Sequence, residues 1–138
     1  ILGLDSICSV CEYQEPLPLN DIARKLDAAV IYGRTDITIW GYTLIDSLKA
    51  IVEMLPDQFQ KIYGRSTARA LIFTGVHSGK SPMVAVRVTN LKPGAVILQG
   101  VMPSEVDPIA IRIAQVENIP LLTTHFSVDE ISSALSKG

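Results

Sequence analysis

Three short apolar segments recur in the second half of the chain, and each runs into a glycine or threonine turn. They are ALIFTG (70–75), AVILQG (95–100) and PLLTT (120–124). Strands that are apolar at consecutive positions are buried on both faces, as in a parallel sheet covered by helices. The pattern therefore predicts an α/β fold, in which helices flank a mostly parallel β-sheet on both faces.

Helix-length segments separate these strands, because a connection between parallel strands needs a crossover. One helix is predicted at about 104–118, with Ser104 as its N-cap. Another is predicted at about 128–136, where Ser127 and Glu130 have the spacing of a full capping box.

The segment between the first two of these strands gives two conflicting signals. MVAVRV (83–88) alternates β-branched residues with others, and this local propensity favours a strand. Its position between two parallel strands requires a crossover, which is usually a helix. We predict a helix over 83–90, with a strand as the alternative.

The first half of the chain predicts two helices and two strands. A helix begins near Asn20, a good N-cap, and short strands follow at 28–33 and 36–42. An amphipathic helix is then predicted from residue 44, and Pro56 ends it. Its apolar face consists of Leu44, Ile45, Leu48, Ile51, Val52 and Leu55.

Cys8 and Cys11 form a C-x-x-C pair in the lead-in segment 1–16, which is predicted to be helical or extended. A structural zinc needs four ligands, and the two histidines of the chain lie far away in sequence. On a helix, Ile1, Leu4 and both cysteines share one face, so the pair is expected to pack like small hydrophobic residues. A metal or redox module is the alternative, and no metal site is predicted.

The stretch FTGVHSGKSP (73–82) resembles a phosphate-binding loop but lacks its spacing. A Walker A loop, G-x-x-x-x-G-K-[ST], needs glycine where this chain has Thr74. Gly75 leaves only three residues before Gly79, and Pro82 removes a backbone N–H. We therefore predict a strand-to-helix turn and no catalytic residues, which favours a protein that is not an enzyme but leaves that question open.

Small and polar residues follow the predicted strands where a ligand would meet the sheet. Ligands of open parallel sheets bind beyond the carboxyl ends of the strands. For each of the two histidines involved, a solvated surface position is the alternative. The predicted ligand-binding residues are Gly41, Tyr42, Thr74, Gly75, His77, Gly100, Thr123, Thr124 and His125.

Composition narrows the partners of this chain. Its 138 residues fit one domain, and 48% of them are hydrophobic, so an apolar surface is expected to be covered by a partner. No apolar run is long enough to span a membrane, and a net charge of -2 predicts no binding to nucleic acid. Two cysteines favour the cytoplasm, and a start without Met suggests a piece of a longer protein.

An ordered set of segments from Leu17 to Leu135 resembles the DRTGG domain family. The segments are PLPLNDIARKLDAAVIYG, ITIWGYTLIDSLKAI, ALIFTG and AVILQGVMPSEVDPIAIRIAQVENIPLLTT. A contiguous D-R-T-G-G string is absent. The turn that carries Gly-Asp-Arg in many members reads TGVHSGKSP here, so no role is carried onto His77, Ser78 or Lys80.

The resemblance implies a single DRTGG-like domain over residues 1–138. Such domains are non-catalytic accessory parts of larger proteins, including phosphotransacetylase-related and CBS-containing ones, and they tend to form dimers. It thus implies a regulatory or oligomerisation domain without a cofactor, which forms a homodimer and binds a small ligand such as a nucleotide. The alternative is a small phosphoryl- or acyl-transfer enzyme that uses Lys80, Ser81 and His125.

Overall fold

The structure, a computed structural model, describes residues 7–46, 63, 66–89 and 91–136. Six strands lie in this part of the chain, and they join in one sheet. They are β1 (Ile7–Pro18), β2 (Ala29–Tyr32), β3 (Thr38–Asp46), β4 (Ala70–Thr74), β5 (Ala95–Gln99) and β6 (Leu121–Thr124).

The sheet has a parallel centre and two antiparallel edges. Its order is β1-β3-β4-β5-β6-β2, and β3, β4, β5 and β6 run in the same direction. The edge strands β1 and β2 pair antiparallel with β3 and β6. The predicted α/β fold with a mostly parallel sheet is therefore confirmed.

Four helices and one short 3-10 turn connect the described strands. The helices are α1 (Leu19–Lys25), α2 (Lys80–Val88), α3 (Pro108–Glu117) and α4 (Val128–Ser136), and the turn is Pro103–Glu105. Segment 83–88 lies in α2, so the predicted helix is confirmed there and the strand alternative is wrong. None of the helices in the described ranges is long and apolar enough to cross a bilayer.

Each face of the sheet has its own apolar core, as a sheet covered on both sides requires. On one face, α2 and α3 pack Met83, Val86, Ala110 and Ile113 against alternate strand residues such as Phe73. On the other face, α1 and α4 supply the helical residues Leu19, Ile22, Ile131 and Leu135.

The helix starts agree with the sequence only where a capping box is complete. At α4, the Ser127 N–H donates to Glu130 Oε1 (2.9 Å) and the Glu130 N–H donates to Ser127 Oγ (3.2 Å), so this box is confirmed. The backbone N–H of Ser127 lowers the pKa of Glu130. The cap predicted at Ser104 is wrong, because Asp107 caps α3 and accepts from the Ile109 N–H (2.8 Å).

Other predicted boundaries also move. The first helix begins at Leu19, after Pro18, so Asn20 is not its N-cap. Strand β3 continues to Asp46, so the helix predicted from residue 44 is wrong for residues 44–46. Parallel pairing with β4 keeps these residues extended, and the remainder of the predicted helix lies outside the described residues.

The lead-in segment is a strand in its described part. Residues 7–16 belong to β1, so the helical face predicted for the cysteines is wrong there. Pairing with β3 overrides the helical spacing of the apolar residues. Cys11 is half-buried and not in a disulfide, and no group of three or more His, Cys, Asp or Glu in the described ranges could hold a metal ion.

A fully buried arginine ties the antiparallel edge to the parallel centre. Arg69 precedes β4 and forms an ion pair with Glu12 of β1. Its Nη1 donates to Tyr42 O (3.1 Å) and Thr43 Oγ1 (3.0 Å) on β3, and its Nε donates to Ser66 O (2.8 Å). One guanidinium therefore bonds to β1, to β3 and to the turn that leads into β4.

We predict that Arg69→Ala lowers the free energy of unfolding by about 3 kcal/mol, because buried carbonyl groups lose their charged donor. Urea denaturation followed by circular dichroism measures the change. Arg87→Ala removes an exposed arginine of α2 and should change stability by less than about 0.5 kcal/mol. Equal stability of the two variants would contradict the role given to Arg69.

Candidate functional site

The carboxyl ends of the parallel strands β4, β5 and β6 lie together at one end of the sheet. Leu98 pairs with Thr123 and Gln99 with Thr124, while Phe73, next to Thr74, pairs with Leu98. We call the residues at this end of the sheet the strand-end rim. They are Thr74, Gly75, Gln99, Gly100, Thr124 and His125.

Gln99 joins two turns of the strand-end rim. Its Oε1 accepts from the Gly75 N–H (2.8 Å), and its Nε2 donates to Phe126 O (3.1 Å). Gln99 was not among the predicted ligand-binding residues. The signal was available, since Gln99 is the only polar side chain in the apolar segment AVILQG.

The threonines at these strand ends are buried and stabilise the fold. Thr74 Oγ1 donates to Ile45 O (3.3 Å). Thr124 Oγ1 donates to Leu26 O (2.8 Å) and accepts from the Phe126 N–H (3.2 Å), and Thr123 is also buried. The threonines therefore hold the strand ends and turns in place and offer little surface to a ligand.

His125 is the exposed polar side chain at the end of β6. Its Nε2 lies 3.0 Å from Asp27 Oδ2, and its ring meets Phe126 edge to face at 5.2 Å between centroids. No pattern in the sequence pointed to Asp27, which is 98 residues away. His77 is also exposed and lies in the turn after β4.

The turn before α2 uses its backbone N–H groups within the protein. The Val76 N–H donates to Gln99 O (2.9 Å), and the Lys80 N–H faces Ser78 Oγ (3.4 Å). With the Gly75 N–H bound to Gln99, these donors do not converge on a common point, as a phosphate nest requires. Gly79 has φ +84°, and a Cβ there would lie 2.5 Å from Leu98. The observed turn is therefore a packed strand-to-helix connection.

Two of the predicted ligand-binding residues do not reach this edge. Tyr42 pairs with Ala70, the first residue of β4, and Gly41 pairs with Glu12 of β1. Because β3 runs on to Asp46, Tyr42 lies about 13 Å and Gly41 about 17 Å from the strand-end rim, at about 3.3 Å per residue. The structure brings the other predicted residues to the rim or to the turns beside it.

Two proteins of archaea are similar to this chain in sequence. An uncharacterized HTH-type transcriptional regulator of Methanocaldococcus jannaschii is 44% identical over 136 residues, covering 98% of this chain and 56% of that protein. Another of the same name, from Archaeoglobus fulgidus, is 39% identical over 132 residues, covering 96% and 57%. The chain thus spans a little over half the length of these relatives. No protein-family model matches it.

A solved structure shares the fold. It contains the CBS and DRTGG domains of the regulatory region of a Clostridium perfringens pyrophosphatase, in complex with the activator diadenosine tetraphosphate. The TM-score is 0.58 at 16% identity, and the match covers 86% of this chain and 45% of that one. At this identity the likeness establishes a common fold.

We predict that Gln99→Leu lowers the free energy of unfolding by about 2 kcal/mol, because the Gly75 N–H and Phe126 O both lose their partner. Thermal and urea denaturation measure the loss. Gln115→Leu makes the same change at an exposed position of α3 and should leave stability nearly unaltered. A Gln99 variant as stable as this control would show that the bridge contributes nothing.

Proposed function

We propose that this chain is a ligand-sensing regulatory domain of a transcriptional regulator, and that it is a domain of the DRTGG type. The observation that carries the proposal is the 44% identity over almost the whole chain to part of a protein named as an HTH-type regulator. The fold shared with a regulatory region containing CBS and DRTGG domains supports the assignment to that type.

In this proposal, a part of the protein outside the chain contacts DNA. The matched relatives extend well beyond the region that this chain covers, which leaves room for the helix-turn-helix segment in their name. The chain itself has 12 basic and 14 acidic residues and no basic stripe, so the domain makes no contact with nucleic acid. A role in regulating transcription implies that the domain lies in the cytoplasm.

We propose the strand-end rim as the ligand site. Parallel strands place their carboxyl ends together there, as in other α/β proteins that bind ligands. His125 and Asp27 are exposed polar groups at this edge, and Gly75 and Gly100 leave the backbone accessible. The domain is non-catalytic and holds no cofactor. A relation to phosphotransacetylase-related proteins stays a prediction, because the names of the two relatives refer to transcription.

We predict that a nucleotide binds at the rim, since the neighbouring regulatory region binds diadenosine tetraphosphate. Calorimetric titration with that compound, ATP and AMP should give saturable heat for at least one of them. His125→Ala should weaken binding about tenfold by removing a charge-assisted contact, without a large loss of stability.

Arg87→Ala, on the exposed surface of α2, is the matched control and should bind like the original protein. Absence of heat with all three nucleotides would count against a nucleotide as the ligand. Equal affinity of the His125 variant would count against the rim as its site.

We also propose that the domain forms a homodimer through α2 and α3. These neighbouring helices expose an apolar helix face, which consists of Val84, Val88, Ile109 and Val116. Val88 is 64% exposed and Val116 is 55% exposed. Exposed apolar side chains on neighbouring helices favour a protein interface.

We predict that Val88→Glu converts a dimer into a monomer, because a carboxylate would be buried against an apolar surface. Sedimentation velocity at micromolar concentration measures the change. Val30→Glu, at an exposed position of the edge strand β2, should leave the dimer intact. A protein that is monomeric before substitution would contradict the proposal.

A further inference from the structure

Gln99 lies in the middle of the strand-end rim, between the turns that follow the two neighbouring strands. It is the last residue of β5, which pairs with β4 on one side and with β6 on the other. Its carboxamide reaches Gly75 in the turn after β4 and Phe126 in the turn after β6. One side chain therefore crosses the end of the sheet at which open parallel sheets bind their ligands.

The two partners fix the orientation of this carboxamide. A backbone N–H can only donate and a backbone carbonyl can only accept, so Oε1 faces the Gly75 N–H (2.8 Å) and Nε2 faces Phe126 O (3.1 Å). The protein thus offers one donor and one acceptor to a single planar group. A ligand that takes the place of the carboxamide must carry an acceptor directly beside a donor.

The adenine base carries this pattern on one edge. Its ring nitrogen N1 accepts and its exocyclic amino group donates, and both nitrogens are attached to the same planar carbon. The oxygen and nitrogen of a carboxamide are likewise attached to one planar carbon, so the two pairs have similar spacing. Proteins commonly read a base by hydrogen bonds to this edge.

The contacts of Gln99 lie where a ligand can reach them. Gly75 and Gly100 are exposed, and Gln99 itself is half-buried. Among the described residues, no atom beyond the chain neighbours of Gly75 lies within 4 Å of the position that a Cβ of residue 75 would take. A glutamine side chain has several rotatable bonds, so the carboxamide can turn into the solvent while the backbone of β5 stays in place.

Exchange of the carboxamide for a base keeps the hydrogen bonds of the rim. The Gly75 N–H and Phe126 O each keep a partner, and water satisfies the released carboxamide. Exchanges between neutral hydrogen bonds are nearly balanced in free energy. The glutamine therefore competes with the ligand for the same two backbone groups, and it lowers the apparent affinity by the fraction of molecules in which it occupies them.

We propose that the Gln99 carboxamide occupies the place of the ligand's adenine base, and that the bound base displaces it. This inference rests on the nucleotide proposed above for the strand-end rim, and it adds which groups of the rim recognise the base. The N1 atom of adenine accepts from the Gly75 N–H, and the exocyclic amino group donates to Phe126 O. Recognition of the base is thus made by the backbone of two turns.

The first test compares AMP binding by calorimetry in the original protein and in Gln99→Ala. Removal of a side chain that contacts the ligand weakens binding, whereas removal of one that competes with the ligand strengthens it. Gln99→Ala should bind AMP about tenfold more tightly, because both backbone groups are free beforehand. Gln115→Ala makes the same change at an exposed position of α3 and should bind AMP like the original protein.

Two further nucleotides test the edge of the base. N6,N6-dimethyl-AMP keeps the rings and the phosphate but has no hydrogen on its amino group, so it should bind the original protein at least about tenfold more weakly than AMP. Nicotinamide mononucleotide carries a free carboxamide on the same ribose phosphate. Tighter binding of this compound than of AMP would overturn the assignment to adenine in favour of a carboxamide ligand.

Nuclear magnetic resonance follows Gln99 in the original protein and does not depend on the folding of a variant. When AMP binds, the side-chain amide protons of Gln99 should move towards the chemical shifts of an amide in water, because their bond to Phe126 O is lost. The side-chain amide protons of Gln115 on α3 should not move.

The failure of this inference differs from the failure of the nucleotide site. If AMP binds the original protein, but equally or more weakly a Gln99→Ala variant that circular dichroism shows to be folded, Gln99 does not compete and only the displacement is wrong. Unmoved Gln99 amide signals at saturation with AMP would lead to the same conclusion. Absence of AMP binding in both proteins would contradict the displacement and the nucleotide site together.

Discussion

The buried guanidinium of Arg69 is the constraint on which the position of the edge strand β1 depends. A charge without access to water must find hydrogen-bond partners inside the protein, and here they come from β1, β3 and the turn before β4. Its bonds to Cys11 O and Glu12 hold β1 against the parallel centre. Gly41 belongs to the same constraint, because a Cβ there would collide with Cys11 O of the paired strand.

The two ends of the sheet carry different polar groups. At the amino end, the pairing of β1 with β3 extends beyond the start of β4, and Glu12, the ion-pair partner of Arg69, lines a pocket together with Trp40. At the carboxyl end, Gln99 and the threonines satisfy the backbone of the turns. The proposed rim site is therefore built from backbone and exposed polar groups.

The features of the strand-to-helix turn explain why a phosphate-loop motif is a poor guide here. Gly79 is required because its φ is positive and Leu98 packs directly against it. The neighbouring N–H groups are bonded to Gln99 and Ser78. Gly79, at a position that nucleotide-binding proteins place next to a phosphate, here allows close packing of α2 on the sheet. The Lys80 side chain at the start of that helix is exposed.

By itself, the sequence determined the parallel centre, the helix α2 and the capping box of α4. Burial on both faces and helix caps each leave a pattern in residues that are close together along the chain. It did not determine that residues 7–16 and 44–46 are strands, since pairing between β1 and β3 overrides their helical spacing. Nor did it bring Asp27 to His125 or Glu12 to Arg69. Only the tertiary structure decided these contacts, because they join residues that are distant in sequence and leave no local periodic signal.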